Sequence, residues 1–221
     1  MSYVEVCHVG KVIRGDTVLK DVSVRVERGQ VVGLQGENGS GKTMTMRVVC
    51  GLVRPSSGIV TIGGMRLWKD ASFPPSIGLL IEEPALLGTY SGLDNLRLMA
   101  SIRGIAQEGD LRQSMQRVGL DPSSRKWCRG YSLGMRQRLG IAMALMEVPE
   151  LLVLDEPTNS LDEDGVDDLV GIIGEERNRG AAVLVSSHDA EFLGKVCDVR
   201  YKMRSGKVVE VVGATERHDE R

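Results

Sequence analysis

Short apolar runs alternate along the chain with longer segments whose apolar residues recur at helical spacing. Residues 151–154 and 181–186 are continuous apolar runs and predict buried strands of a parallel sheet, and residues 31–35 predict a third strand. Residues 43–50 predict a helix, and Gly51 is placed to end it. The alternation predicts an α/β fold in which helices cover a sheet.

Further strand signals lie towards the two ends of the chain. Residues 22–26 and 60–62 predict strands bounded by turns. Residues 200–203 and 208–212 flank a Ser-Gly turn and predict a closing hairpin. We therefore expect a mixed-sheet core with an antiparallel β edge.

A central segment, residues 86–130, has helical periodicity without strong strand signals. Leu111, Met115 and Val118 fall on one helix face, and Gly119 is placed to end that helix. This segment is expected to form a helical subdomain inserted into the α/β core.

The length of 221 residues suits one domain rather than two. We expect residues 1–85 and 131–213 to form the α/β core of that domain. The polar residues 214–221 are expected to fray.

Composition and charge argue against a nucleic-acid partner. The net charge is −2 and the pI is near 6.0, so the chain has no general attraction for polyanions. Aromatic residues make up 4% of the sequence, which is too few for a base-stacking surface. The basic stretch of residues 125–127 is too short to change this expectation.

The cysteines and the hydropathy favour a cytosolic protein. Cys7, Cys50, Cys128 and Cys197 are far apart, so neither a zinc site nor a disulfide framework is indicated, and reduced thiols are expected. The N-terminus does not resemble a signal peptide, and no run of about 18 apolar residues could span a bilayer. Any action on a membrane would require another polypeptide.

A glycine-rich segment after the 31–35 strand fits the phosphate-binding pattern G-x-x-x-x-G-K-[ST]. Its residues are Gly36, Glu37, Asn38, Gly39, Ser40, Gly41, Lys42 and Thr43, followed by Met44, which we also expect at the nucleotide. Glycines let successive backbone N–H groups converge on phosphate oxygens, and the helix N-terminus adds a favourable dipole. We expect Lys42 to reach the β- and γ-phosphates and the Thr43 hydroxyl to hold Mg²⁺.

Two carboxylates follow the buried 151–154 strand. Asp155 is expected to bind Mg²⁺ through water, and Glu156 is expected to polarise an attacking water as a general base. Acid pairs after strands also serve as helix caps, so this pair is specific only in combination with the phosphate loop. Together the two segments predict a P-loop ATPase.

Three further motifs narrow the family. Tyr131-Ser132-Leu133-Gly134-Met135-Arg136-Gln137-Arg138 resembles the Leu-Ser-Gly-Gly-Gln signature of ABC transporter ATP-binding subunits. The run from Asp155 to Asp162 resembles the Walker B motif and D-loop of that family, and His188 resembles its switch histidine. The resemblance covers residues 3–212 and implies the ABC-ATPase type of P-loop fold.

The resemblance implies a mechanism based on two domains. ATP would lie between two copies of the domain arranged head to tail. Ser132 and the N–H of Gly134 of one copy would face the γ-phosphate of the ATP bound by the other copy. Lys42, Glu156 and His188 would be the catalytic residues, and His188 would contact the γ-phosphate. The partners would be a second ATP-binding subunit, giving a homodimer, and an integral membrane permease. The chain would then sit on the cytoplasmic face of the cell membrane.

Three positions depart from the common family pattern. Ile13 occupies the place of an aromatic residue that stacks on adenine, so we expect weak adenine selectivity and acceptance of GTP. Leu133 and Met135 replace a glycine and a glutamine of the signature, while Ser132 and Gly134 are kept. The signature of one copy is therefore expected to complete the ATP site of the other copy.

The third departure is Glu82, which replaces a glutamine near the metal or the attacking water. We expect its carboxylate to approach Mg²⁺, and the less favoured alternative is a surface residue on a mobile loop. This glutamate and the altered signature resemble exporters that protect cells from lantibiotics and bacitracin-like peptides. The helical segment, including Tyr90, Leu93, Leu96 and Met99, is the expected permease face, although any of these residues could belong to an ordinary buried stripe.

Three other functions are considered for a chain with these motifs. A nucleotide kinase would need an arginine-rich lid and would leave residues 132–138 unexplained. An ABC-type ATPase without a membrane partner, serving DNA repair or translation, usually carries two such domains or a long coiled coil. A regulator that binds ATP without turnover is disfavoured by intact Lys42, Asp155, Glu156 and His188.

Overall fold

The computed structural model describes residues 2–213, which form ten strands and six α-helices. The tail 214–221, expected to fray, lies outside the described residues. The strands are β1 (Ser2–Ile13), β2 (Asp16–Glu27), β3 (Val31–Gln35), β4 (Ser57–Ile62), β5 (Met65–Arg66), β6 (Ile77–Leu80), β7 (Leu151–Asp155), β8 (Ala182–Ser187), β9 (Val199–Arg204) and β10 (Lys207–Gly213). The helices are α1 (Lys42–Val49), α2 (Gly92–Arg103), α3 (Glu108–Arg117), α4 (Leu133–Leu145), α5 (Glu163–Asn178) and α6 (Ala190–Val196).

The larger of two sheets has six strands in the order β10-β9-β3-β8-β7-β6. Neighbours from β9 to β6 pair in parallel, whereas β10 pairs antiparallel with β9 at one edge. The predicted strands at residues 31–35, 151–154 and 181–186 are confirmed, and so is the closing hairpin, which forms β9 and β10. The prediction of a mixed sheet with an antiparallel edge is therefore confirmed.

The central strands β3, β7 and β8 are buried on both faces of this sheet, which explains the continuous apolar runs. Along β7, Leu151 and Val153 pack in one hydrophobic cluster with α1 and the smaller sheet. Leu152 and Leu154 point the other way, into a cluster with α2 to α6. The strands that carry the phosphate loop and the carboxylates are thus held from both sides.

The smaller sheet is antiparallel, in the order β2-β1-β4-β5. Strand β2 begins at Asp16, earlier than the predicted strand at residues 22–26. Its first half is largely exposed and polar, so it has no apolar run, and Asp21 interrupts the regular pattern with a φ of 57°. Pairing with β1, rather than intrinsic hydrophobicity, extends this strand.

The central segment is helical, as predicted, and shares its core with the rest of the chain. Leu111, Met115 and Val118 are buried together, and Gly119 follows the end of α3 with a φ of 72°. Leu93 and Leu96, which we expected on a permease-binding face, are instead buried in the same cluster. None of the helices in residues 2–213 is long and apolar enough to cross a bilayer.

Candidate functional site

The sequence-predicted phosphate loop and carboxylates meet at one edge of the larger sheet. Strands β3, β7 and β8 run in parallel, so their carboxyl ends deliver the phosphate loop, Asp155 and Ser187 to the same side. An open cleft of about 550 Å³ lies there. Its walls include Thr43, Asp155, Glu156 and Glu82.

The phosphate loop turns sharply into α1. Gly41 is the N-cap of the helix and has a φ of 107°, a conformation that a residue with a Cβ rarely adopts. The Lys42 ammonium donates to the carbonyls of Gly36 (2.6 Å) and Glu37 (3.2 Å). The buried Ser40 hydroxyl has no hydrogen-bond partner within residues 2–213, as expected of a donor awaiting a phosphate oxygen.

Asp155 is 5% exposed and is held by two hydroxyl groups. Thr43 Oγ1 donates to Asp155 Oδ2 over 2.8 Å, and the Ser186 hydroxyl donates to the other carboxylate oxygen. A hydroxyl and a carboxylate side by side are hard oxygen ligands of the kind that Mg²⁺ prefers. The residues predicted to hold the metal from the loop and from β7 are thus in direct contact.

Glu156 follows Asp155 with a φ of 46°, which turns its side chain into the cleft. Its backbone N–H lies 3.1 Å from both the carbonyl and the hydroxyl oxygen of Ser186. His188 contacts Glu156 Oε2 through Nδ1 (2.9 Å) and through its backbone N–H (3.3 Å). Lys42 Nζ is 3.2 Å from Glu156 Oε1.

The second carboxylate oxygen of Glu156, Oε1, lies next to Lys42 and lacks a hydrogen bond within residues 2–213. The contact between Lys42 and Oε1 is an ion pair by distance only, and no donor in residues 2–213 makes a hydrogen bond to that oxygen. One carboxylate oxygen is therefore fixed by His188, and the other is buried beside the Lys42 ammonium.

The signature turn begins α4 next to this cleft. The Ser132 hydroxyl caps the helix by accepting from the Met135 N–H (3.2 Å). A Cβ on Gly134 would lie 2.7 Å from the Ser160 carbonyl oxygen, so glycine allows the turn to touch the D-loop. Leu133 is 65% exposed, which is unusual for a leucine at the start of a buried helix.

Two side chains of α4 connect the signature to the segment after β7 and to the D-loop. Gln137 Nε2 donates to the Pro157 carbonyl (3.0 Å). Arg138 forms ion pairs with Asp162 (3.2 Å) and Asp168 (3.0 Å). These bonds hold the beginning of α4 and the D-loop together within one chain.

Glu82 lines the cleft, and its side chain is exposed. Its carboxylate forms an ion pair with Arg47 of α1, with 2.6 Å between Arg47 Nη2 and Glu82 Oε1. The φ of Glu82 is 59°, which is uncommon for a residue with a side chain. The structure brings Glu82 to the same cleft as Thr43 and Asp155.

The remaining nucleotide candidates lie on the phosphate loop, on α1 and at the end of β1. Glu37, Asn38 and Gly39 are exposed at its tip, and Met44 is partly buried on α1. Ile13 is the last residue of β1, is 38% exposed and lies opposite Asp16 in the β1–β2 hairpin.

Four side chains in this region were given no role of their own from the sequence. Ser186 lies at the end of an apolar strand, next to the carboxylates. A hydroxyl at the end of such a run could have been recognised from the sequence. Gln137 and Arg138 stand inside the recognised signature, but their partners could be found only in three dimensions. Arg47 gave no signal, because helix-surface arginines are common.

Thiol chemistry at the site is disfavoured by burial. Desolvation raises the pKa of both Cys50 and Cys197 to about 12, so both thiols are protonated at neutral pH. Cys50 follows the end of α1 and is buried. The reactive groups of the cleft are therefore its carboxylates, its lysine and its histidine.

Comparison with families and with known proteins agrees with this geometry. Residues 19–159 match the family model described as ABC transporter, and residues 128–194 match a model described as AAA domain, putative AbiEii toxin, Type IV TA system. The chain is 43% identical over 205 residues to the uncharacterized ABC transporter ATP-binding protein YybJ of Bacillus subtilis (strain 168). That alignment covers 93% of this chain and 94% of YybJ.

Two other relatives have transport names. The bacitracin transport ATP-binding protein BcrA of Enterococcus faecalis is 35% identical over 204 residues, covering 91% of this chain and 66% of BcrA. The lantibiotic transport ATP-binding protein SrtF of Streptococcus pyogenes is 35% identical over 193 residues, covering 87% of this chain and 83% of SrtF. This chain thus spans about two thirds of the length of BcrA.

Solved structures share the fold. An ATP-binding subunit of an ABC transporter superposes with a TM-score of 0.86 at 27% identity, covering 96% of this chain and 90% of that chain. The cassette MJ0796, described as a dimer in a post-hydrolysis state bound to ADP and Pi, has a TM-score of 0.86 at 21% identity, with coverages of 96% and 99%.

Proposed function

Because this chain belongs to the ABC transporter family of ATP-binding, ATP-hydrolysing subunits, we propose that it powers a separate membrane permease by closing head to tail on a second copy of itself. The proposal rests above all on one observation. Lys42, Asp155 and Glu156 converge in one cleft, while Ser132 and Leu133 at the start of α4 are exposed to a partner.

The phosphates of ATP would lie over the loop at residues 36–43. Lys42 would exchange its bonds to the Gly36 and Glu37 carbonyls for phosphate oxygens, and Ser40 would gain a partner. Thr43 and Asp155 would hold Mg²⁺, with Glu82 able to approach it. When bound, the metal would neutralise charge on the phosphates.

Glu156 would accept the proton of the attacking water through Oε1. His188 would keep the carboxylate in place through Oε2 and contact the γ-phosphate, while Lys42 would move from Glu156 to the phosphates. Removing that ammonium from Glu156 would leave the carboxylate a freer proton acceptor.

The trans half of the site would come from the partner's copy of the signature. Ser132 and the N–H of Gly134 lie at a helix N-terminus, where backbone dipoles favour an anionic phosphate. The exposed Leu133 would be covered in the closed pair. Neither protomer alone would surround the triphosphate.

The permease would dock beside the cleft, on the cytoplasmic face of the membrane. A largely apolar groove of about 470 Å³ runs between β6 and α2, with the exposed side chains of Leu79, Met99 and Ile102 on its walls. This groove begins next to Glu83 and Pro84, which also line the nucleotide cleft. A cytoplasmic segment of the permease bound in this groove would contact the loop that carries Glu82.

Export of peptide antibiotics is the substrate class that we propose. The names of BcrA and SrtF support it, and so does the glutamate at position 82. The test is to express this chain with its permease in a susceptible host and to measure the inhibitory concentrations of bacitracin and of lantibiotics. We expect the host to tolerate at least one of these peptides better than a host with the permease and a Lys42→Ala chain.

Equal sensitivity of the two hosts to every such peptide would contradict the substrate class but not the transporter role. Purification of the tagged chain from membranes tests that role separately. Recovery of the permease with it supports the role, whereas an ABC-type ATPase serving DNA repair or translation would be recovered without a permease.

Ile13, the residue expected next to the adenine ring, gives a prediction on the choice between ATP and GTP. Aliphatic Ile13 offers no stacking plane, and aromatic stacking is worth about 1–3 kcal/mol per base. We therefore expect similar Kd values for ATP and GTP in equilibrium binding, and tighter ATP binding by about fivefold or more in Ile13→Tyr. Val12→Tyr is the matched control, since adjacent side chains of a strand point to opposite faces. A strong ATP preference in the unmodified chain would end this proposal.

A further inference from the structure

The ion pair between Arg47 and Glu82 joins α1 to the loop after β6. Glu82 is 62% exposed and Arg47 33% exposed, so water surrounds much of the pair. The backbone of Glu82 nevertheless adopts a left-handed conformation that costs energy for a residue with a Cβ. Arg47 contacts the carboxylate and so helps to hold the loop in this form.

Arg47 stands one helical turn beyond Thr43 on α1. Residues four apart share a helix face, so the guanidinium lies on the same side as the hydroxyl that bonds Asp155. Glu82 lines the cleft together with Thr43 and Asp155. The arginine therefore holds the carboxylate at the border of the candidate metal site.

We propose that Arg47 is a positioning residue that ties the Glu82 carboxylate to α1 at the border of the metal site and so competes with Mg²⁺ for that carboxylate. This inference rests on the proposed function. An amide at position 82 would need no counter-charge, but a carboxylate in the same cleft as Asp155 and Glu156 would repel a triphosphate. Arg47 cancels this charge in the nucleotide-free chain, and Glu82 is released from it as the metal–nucleotide complex binds.

The exposure of the pair limits the size of the effect. Exposed ion pairs are weak, so removing the arginine is expected to tighten Mg²⁺ binding about two- to fivefold. That change corresponds to about 0.4–1 kcal/mol. A small but measurable change is therefore the expected result.

The test is a double-mutant cycle on the full-length chain. A fluorescent, non-hydrolysable ATP analogue is bound in metal-free buffer, and Mg²⁺ is titrated in to obtain its apparent Kd. Arg47→Met should tighten Mg²⁺ about two- to fivefold, and Glu82→Gln should weaken it. Arg47→Met should have no effect in the Glu82→Gln background, because the arginine acts through that carboxylate.

Arg97→Met is the matched control, because Arg97 forms exposed ion pairs with Asp94 and Glu108 on the helical segment. It should leave the Mg²⁺ affinity unchanged. The proposal would be overturned if Arg47→Met changed the Mg²⁺ affinity equally with Glu82 present and with Glu82→Gln. It would also be overturned if Arg47→Met, with Glu82 present, left Mg²⁺ binding unchanged or weakened it. Failure of the unmodified chain to bind the analogue with saturating Mg²⁺ present would overturn the proposed function itself.

Discussion

Replacing Glu156 with glutamine is expected to lower ATP hydrolysis by about 10²–10⁴-fold while ATP binding persists. The amide keeps the shape of the side chain and a hydrogen-bonding oxygen, but it cannot take the proton of the attacking water. The loop residues that bind the phosphates are untouched. ATP should therefore hold two chains together, and size-exclusion chromatography with light scattering should detect a dimer with ATP.

Glu175→Gln is the matched control for this substitution. Glu175 is an exposed glutamate on α5 whose partner is Arg117, so its neutralisation should leave hydrolysis unchanged. Full turnover by Glu156→Gln would show that another group is the base. A hydrolysis-deficient variant that stayed monomeric with ATP would instead contradict closure on a second copy.

Ser132→Arg is expected to lower hydrolysis by about 100-fold or more, while the first ATP binds with nearly unchanged affinity. The arginine would fill the surface that the partner's triphosphate must approach and would prevent closure. Loss of a single well-placed donor to a transition state already costs about 10²–10³ in rate. The two quantities are measured separately, by steady-state phosphate release and by equilibrium binding of a fluorescent nucleotide.

The matched control is Ser101→Arg, which adds the same side chain at an exposed serine on α2. It should leave both quantities unchanged in the isolated chain. If Ser132→Arg hydrolysed ATP at the full rate, the trans site would have to lie elsewhere. If it lost ATP binding altogether, the serine would belong to the same protomer's nucleotide site.

The strands and the contacts between motifs could be predicted because local signals agreed. Continuous apolar runs identified β3, β7 and β8, and parallel pairing then required the loop and the carboxylates to meet at one edge. The structure accordingly brings Lys42, Thr43, Asp155, Glu156 and His188 together. Their roles in binding and catalysis remain predictions that the substitutions above test.

Other features depended on partners that are distant along the chain. Periodicity located the apolar face of α2 but not what covers it, so Leu93 and Leu96 were misplaced on a docking surface and are in fact core residues. Ser186 bonds a carboxylate 31 residues away, and Arg47 meets a glutamate 35 residues away. A sequence pattern carries no direct information on such contacts.

The bonds that Lys42 makes to its own loop have a kinetic consequence. Its ammonium has two carbonyl acceptors and a carboxylate beside it, so the chain's own groups shape the glycine-rich turn. Substrate capture then swaps one set of polar contacts for another and orders little additional backbone. We therefore expect nucleotides to bind at the rate of ordinary diffusional encounter. Differences in affinity between nucleotides should then lie mainly in their dissociation rate constants.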